Sequence, residues 1–404
     1  MNSTNPQAIT SNWQNLDLFN PTQEHLLLRE TLQEFVQKEV EPQAQSHDRE
    51  EKFNLPLFRK LADLGLLGIT IPEKDGGSGM DAVAAVIAHE TLSTSDPALC
   101  LSYLAHTILF VHNFYHNANP AQRQKYLPPV ISGKWIGGMC MSEPGCGTDV
   151  LAMKTHAVKK GDRYILNGEK TWITNGCIDE KTLGDIFLVY AKVNGKISTF
   201  VVEKGRKGFH LGMKITGKTG MRASPTASLH FENCEVPAEN LLGQEGDSLL
   251  HMMRNLEIER LTLAAMSLGI ALRCLQIMVP YAQERKAFGQ SIASFGQIQR
   301  YIAQSYAEFF AARCYVYNTA RQLNFQHAGH RLNSDGVKLI ATTMAKNVAD
   351  RAIQVLGGNG YVSEYVVERL WRDAKLLEIG GGTLEAHQKN IAKDLQKSWK
   401  EVLK

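Results

Sequence analysis

The sequence predicts an α+β chain in which two helical segments flank a small antiparallel β domain. Three observations carry this expectation. Apolar residues recur at helical spacing from residue 22 to about 132. From 137 to about 243 they give way to short β-branched and aromatic runs separated by Gly, Asn and Asp. After Gln244 the helical period returns. The expected division is an all-α segment over 1–136, a β domain over 137–243 and an α-helical bundle over 244–404. At 404 residues, 44% of them hydrophobic and 21% charged, the chain is long enough to bury a large core.

In order, TQEHLLLRETLQEFVQKEV opens near an imperfect capping box at Thr22, and Leu26, Leu32, Phe35 and Val36 make its apolar face. LPLFRKLADLG is a second helix closed by Gly65, the residue type that most readily takes the left-handed turn after a helix. PEKDGGSG is a loop. AVAAVIAHETL, ALCLSYLAHTILFVHNFYH and PAQRQKYLPPVISG are again helical. The strand-like runs are HAVKKGDRYILNGEKTWITNG, DIFLVYAKVNG, ISTFVVEKG and ASLHFENCEVP, spaced as in an antiparallel sandwich or barrel. Long helical patterns follow from residue 249 to the end, and Pro280 should kink the first of them or mark a junction.

Composition excludes several functions. A net charge of +3 without a basic run gives no footprint for nucleic acid or an anionic membrane. Seven scattered cysteines without a CxxC pair argue against a disulfide framework and a structural zinc site, so no metal is expected. The first 25 residues lack the pattern of a targeting peptide, and charged or polar residues interrupt each apolar stretch before it reaches membrane-spanning length. A reducing cytoplasm is the expected compartment.

One carboxylate sits where periodicity predicts apolar side chains. Leu256, Glu259, Leu263 and Met266 share a helix face. An acid on such a stripe has its pKa raised by burial, which suits a general base near neutral pH. The helix alone favours the plainer reading, an edge position reaching solvent or an arginine. Three glycine-rich segments, MCMSEPGCGTDV, QVLGGNGY and IGGGTLEAHQ, could bring backbone amides to a ligand, and each is explained equally well as a turn.

Taken in order, MSEPGCGTD, TWITNG, ERKAFGQ, QVLGGNGY and RDAKLLEIGGGT resemble the acyl-CoA dehydrogenase family from about Leu16 onward. The resemblance implies that family's fold, of N-terminal helical domain, middle antiparallel β domain and C-terminal helical bundle. It also implies a bound FAD, held by Met139, Met141, Ser142, Gly147 and Thr148, by Trp172, Ile173 and Thr174, and by Thr383 and Glu385. Arg285, Phe288, Gln354, Gly357 and Gly358 match contacts to the FAD of a neighbouring subunit, hence a homo-oligomer, most often a tetramer. An electron-transferring flavoprotein is the implied electron acceptor.

The family reaction removes an α proton from an acyl-CoA and passes the β hydrogen to the flavin. Most members carry the base where this chain has Gly381, which cannot accept a proton. Two branches place it just before a helical arginine, and Glu259 precedes Arg260 here. The resemblance therefore implies Glu259 as base and the Gly381 N–H as donor to the thioester oxygen. It implies a substrate channel lined by Thr148, Glu257, Ile258, Arg260, Leu263, Gly380 and Gly382. LSYLAH, LEIERLTLAA, CYVYNTA and AKLLEIGGGT resemble the isovaleryl branch most, and small Gly380 leaves room for a methyl branch. The chain departs from the family at Leu377, at Gly296 and in the GGG run containing Gly382.

Overall fold

The computed structural model describes residues 17–325 and 329–403. The reading of the first 16 residues lies outside these. The first helical segment comprises α1 (Gln23–Phe35), α2 (Glu41–Glu50), α3 (Leu55–Asp63), α4 (Ala82–Ser93), α5 (Pro97–Leu104), α6 (Asn113–Asn117) and α7 (Pro120–Ile131). Widened π turns over Val36–Val40 and Ala105–His112 join α1 to α2 and α5 to α6. Thr22 caps α1 by accepting the His25 N–H, and Gly65 follows α3 with φ 71°, as the sequence predicts.

Eight strands form the sheet: β1 (Gly137–Cys140), β2 (His156–Lys160), β3 (Arg163–Thr174), β4 (Ile186–Val193), β5 (Lys196–Glu203), β6 (Phe209–Lys214), β7 (Thr226–Pro237) and β8 (Leu241–Leu242). Their order is β6-β7-β3-β2-β4-β5-β8, with β1 on β4. The pairing is largely antiparallel, as expected, but β1 and β2 both run parallel to β4. β1 was not anticipated because its GGMC sequence lacks β-branched residues. Glycine is needed there, since a methyl group on Gly137 would lie 2.5 Å from the Phe110 ring, and one on Gly138 2.9 Å from the Thr174 carbonyl.

The chain then returns to helices with α8 (Ser248–Glu284), crosses a short hairpin of β9 (Lys286–Ala287) and β10 (Gln290–Ser291), and ends in α9 (Gly296–Gln322), α10 (Arg331–Leu356), α11 (Val367–Leu377) and α12 (Leu384–Val402). α8 runs through Pro280 and stops one turn later. The proline leaves the Gln276 carbonyl without its helical donor, and both residues are exposed, so water can serve it. By length and composition α8 and the Pro97–Asn117 stretch could cross a membrane, but 72% and 89% of their most apolar windows are buried inside the protein.

The two helical segments share one core. Leu32, Val86 and Tyr103 belong to the same buried cluster as Leu268, Val316, Val348 and Leu370. α4 meets α8 at backbone distance: Ser93 Oγ donates to the Met266 carbonyl, and a methyl on Gly269 would lie 2.1 Å from the Glu90 carbonyl. Arg29 and Arg313 both pair with buried Glu90, tying α1 and α9 to α4. The sheet encloses a separate core of Tyr164, Leu166, Phe187, Val189, Phe200, Phe231 and Val236.

Candidate active site

Glu259 lies about a third of the way along α8, 6% exposed, with one carboxylate oxygen lacking any hydrogen-bond partner among the described residues. It faces the 380–382 glycines between α11 and α12. A methyl group on Gly381 would sit 3.2 Å from Glu259 Oε1 and 2.3 Å from Leu263 Cδ1. Gly381 and Gly382 have φ of 67° and 104°, so this loop needs glycine both for its backbone and for the approach of α8. Burial pushes the Glu259 carboxyl up to about 7, while the charges of Arg260 and Lys338 act to lower it.

Three residues the sequence did not single out surround this pair. Lys338 of α10 is fully buried and donates to the carbonyls of Leu377 (2.9 Å) and Gly382 (2.8 Å). Burial draws its ammonium down to about 8, with Glu259 opposing. Asp335, one turn earlier, pairs with Arg260 at 2.9 Å and with His387 of α12, whose other ring nitrogen donates to the Gly382 carbonyl. Polar residues on amphipathic helices look solvent-facing in sequence, and only the packing of α8, α10 and α12 reveals these as interior.

The remaining expected channel residues are placed unevenly. Leu263 and Glu259 both meet the Gly381 position, Arg260 follows Glu259 on α8, the Gly382 carbonyl is held by Lys338, and Gly380 lies against Leu376. Ile258 points into the main core, and the Glu257 carboxylate accepts the backbone N–H groups of Gly329 and His330.

Across from α8, the loop after β1 is braced from within. The Glu143 carboxylate accepts the N–H groups of Lys154 and Thr155 and pairs at 2.8 Å with buried Lys170, which also donates to the Met141 carbonyl. Thr171 N–H donates to Ser142 O, fixing β3 beside the loop. The register of β3 on β7 then slips between Lys170 and Ile173. Within this bulge Trp172 has φ 61°; the residue is 64% exposed while Ile173 is buried and Thr174 half-buried. Met139 and Met141 pack in one cluster with Met252 and Leu256, one to two turns before Glu259.

The loop, with the Trp172 bulge beside it, thus lies against the part of α8 that leads to Glu259. Ser142 is half-buried, Gly147 and Thr148 are exposed, and nothing lies within 4 Å of where a methyl on Gly147 would stand. An exposed tryptophan beside hydroxyls and open backbone suits a flat, polar-edged ring system. Thr383 caps α12 by accepting the Ala386 N–H, with Glu385 exposed in its first turn.

Arg285, Phe288, Gly357 and Gly358 come together elsewhere. They line a cleft with Tyr281 and Asn359 in which Phe288 is 94% exposed. Gln354 is exposed one turn earlier and does not line that cleft.

Three profiles of one family match consecutive stretches of this chain: acyl-CoA dehydrogenase N-terminal domain over 22–134, middle domain over 138–234 and C-terminal domain over 249–396. The chain belongs to the acyl-CoA dehydrogenase family. It is similar to mitochondrial isovaleryl-CoA dehydrogenase of Pongo abelii, 43% identical over 91% of this chain and 87% of that one. Among solved structures it resembles butyryl-CoA dehydrogenase from Megasphaera elsdenii, with TM-score 0.87, 32% identity and coverage of 93% and 98%. It also resembles an acyl-CoA dehydrogenase from Bacillus anthracis complexed with FAD, with TM-score 0.87, 30% identity and coverage of 94% and 68%. As an acyl-CoA dehydrogenase, this chain is an FAD-dependent oxidoreductase acting on a CH–CH bond.

Proposed function

We propose that this acyl-CoA dehydrogenase oxidises a short branched acyl-CoA of the isovaleryl type, with Glu259 as the base that takes the α proton. The observation that carries the reading is the buried Glu259 carboxyl, one oxygen free, set against a glycine loop that has no side chain to compete for the proton. A carboxyl held near neutrality by burial can accept a proton from a weakly acidic C–H more readily than a solvated glutamate. The Gly381 N–H is the donor we assign to the thioester oxygen, where negative charge develops as the proton leaves. Bound FAD supplies the hydride acceptor.

The residues assigned to FAD are Met139, Met141, Ser142, Gly147, Thr148, Trp172, Ile173, Thr174, Thr383 and Glu385 of one chain, with Arg285, Phe288, Gln354, Gly357 and Gly358 serving a neighbouring chain in a tetramer. Glu257 and Ile258 belong less directly to the substrate channel than Arg260 and Leu263, given where their side chains lie. An electron-transferring flavoprotein is the acceptor we assign, and a bacterial cytoplasm the compartment.

Anaerobic titration with isovaleryl-CoA tests the reading. Bleaching of the flavin near one equivalent is expected. Glu259→Gln should keep its FAD and lose reduction by about 10²-fold or more. Bleaching only with longer acyl-CoAs would move the substrate to a longer branched chain; a Glu259→Gln enzyme that turns over normally would remove the base assignment.

A further inference from the structure

We propose that Lys338 is a positioning residue of this site, holding the 377–382 loop through two carbonyls and supplying a cation that offsets the Glu259 carboxylate. The inference rests on Glu259 being the base. Its support is the pairing of the buried charges. Glu259 and Asp335 are interior carboxylates, and Arg260 and Lys338 are interior cations. Arg260 is committed to Asp335 by a 2.9 Å ion pair, and Asp335 is further engaged by His387. Glu378, which also acts on Lys338, is paired with Lys375 on its own helix turn. Glu257 is tied to backbone amides, and Tyr190 of β4, whose hydroxyl accepts from Asn113, is kept a neutral phenol by burial. Arg260 acts on Glu259 more strongly but is held in that ion pair, so Lys338 is the second cation near Glu259 and, among the described residues, the one that no ion pair engages.

The same ammonium fixes geometry. It has three donors and gives two to Leu377 and Gly382, bracketing Gly380 and Gly381. Those two bonds hold the loop at the turn that brings Gly381 against Glu259 and Leu263. Two glycines at positive φ cannot impose that shape by themselves, because glycine is the residue with most backbone freedom. Lys338 thus joins His387 in holding the Gly382 carbonyl, adds the bond to Leu377, and brings a cation to the ionised base.

The two effects separate by substitution. Lys338→Met removes donor and charge, whereas Lys338→Gln keeps an N–H donor and removes the charge. Stopped-flow reduction of the bound flavin by isovaleryl-CoA, with butyryl-CoA in parallel, would be followed from about pH 5.5 to about pH 9 for wild type, both variants and Glu259→Gln. Both Lys338 variants should shift the acid limb upward by about one pH unit, since loss of a nearby cation disfavours the carboxylate. Lys338→Met should also lower the limiting rate about tenfold, and Lys338→Gln should recover most of it. FAD content and melting temperature would be recorded for each, and Lys338→Gln carries the test if Lys338→Met fails to fold.

An acid limb unmoved in both variants, with Glu259→Gln inactive, would overturn the role of Lys338 and leave the base assignment standing. A uniform rate loss without a moved limb would do the same, reducing Lys338 to a packing role. A Glu259→Gln enzyme that reduces its flavin at the wild-type rate would overturn both.

Discussion

At Glu259 two effects of burial oppose each other. Removal from water raises its pKa, the cations buried with it lower it, and the loss of hydration outweighs the cations. The sign for activity follows directly. With Glu259 as the proposed base, a pKa raised to about 7 leaves it protonated below that pH, so kcat/KM should fall as pH drops through about 7. Lys338 loses its charge near 8, so a shallower decline is expected above that value. A pH–rate profile centred between these limits checks both; an acid limb near the ordinary glutamate range would contradict the burial argument. Gly381→Ala tests the loop from the other side. Its φ of 67° and a Cβ only 2.3 Å from Leu263 should cost about 1–3 kcal/mol and displace the N–H that we propose for the thioester oxygen. A lowered melting temperature together with slower flavin reduction is the expected pair of results. The helix pattern made Glu259 conspicuous, because an acid interrupts an apolar stripe. Lys338, Asp335 and His387 gave no such signal, since each lies on a helix otherwise rich in polar residues and is enclosed only by partners far away in sequence.

The strand β3 and the loop before β2 act as one element. Glu143 and Lys170 are both interior, and they join segments 27 residues apart. Although burial alone raises it, the Glu143 pKa is held below the usual range by Lys170 and the backbone N–H donors. Glu143→Ala should therefore cost about 3–5 kcal/mol, because it leaves a buried ammonium without its partner. Urea unfolding gives the stability, and released FAD reports loosening of the loop beside Trp172. Lys170→Met should cost less, since two backbone N–H groups continue to serve Glu143. The strands with alternating, β-branched patterns were legible. β1 was not, because close packing against Phe110 and Thr174 requires glycines that erase the strand signal. Nor could the register slip at Trp172 be read from TWITNG, since a bulge depends on how β7 pairs across from it.

For the whole molecule, the order helices, sheet, helices was legible from periodicity, but the sharing of one core by the two helical segments was not. Hydrophobic spacing gives the face a helix buries and not the partner it buries it against. The cleft with exposed Phe288 supports assembly at the same scale. Light scattering should give the mass of a tetramer, and Phe288→Glu should shift the population toward smaller species with loss of FAD. A monomer that retains FAD would contradict that assembly.

The close crossing of α4 and α8 at Gly269 has a consequence for how the chain folds as it is synthesised. The apolar faces of α4 and α5 complete their cover when residues beyond about 250 have left the ribosome, after the sheet with its own core can already close. Contacts so distant in sequence carry a large loop-closure cost and form late. A chain halted near residue 243 should thus present a folded sheet, with the helices from Phe110 to Val130 packed on it, joined to less covered helices before them, and limited proteolysis should digest residues 22–104 before 137–243.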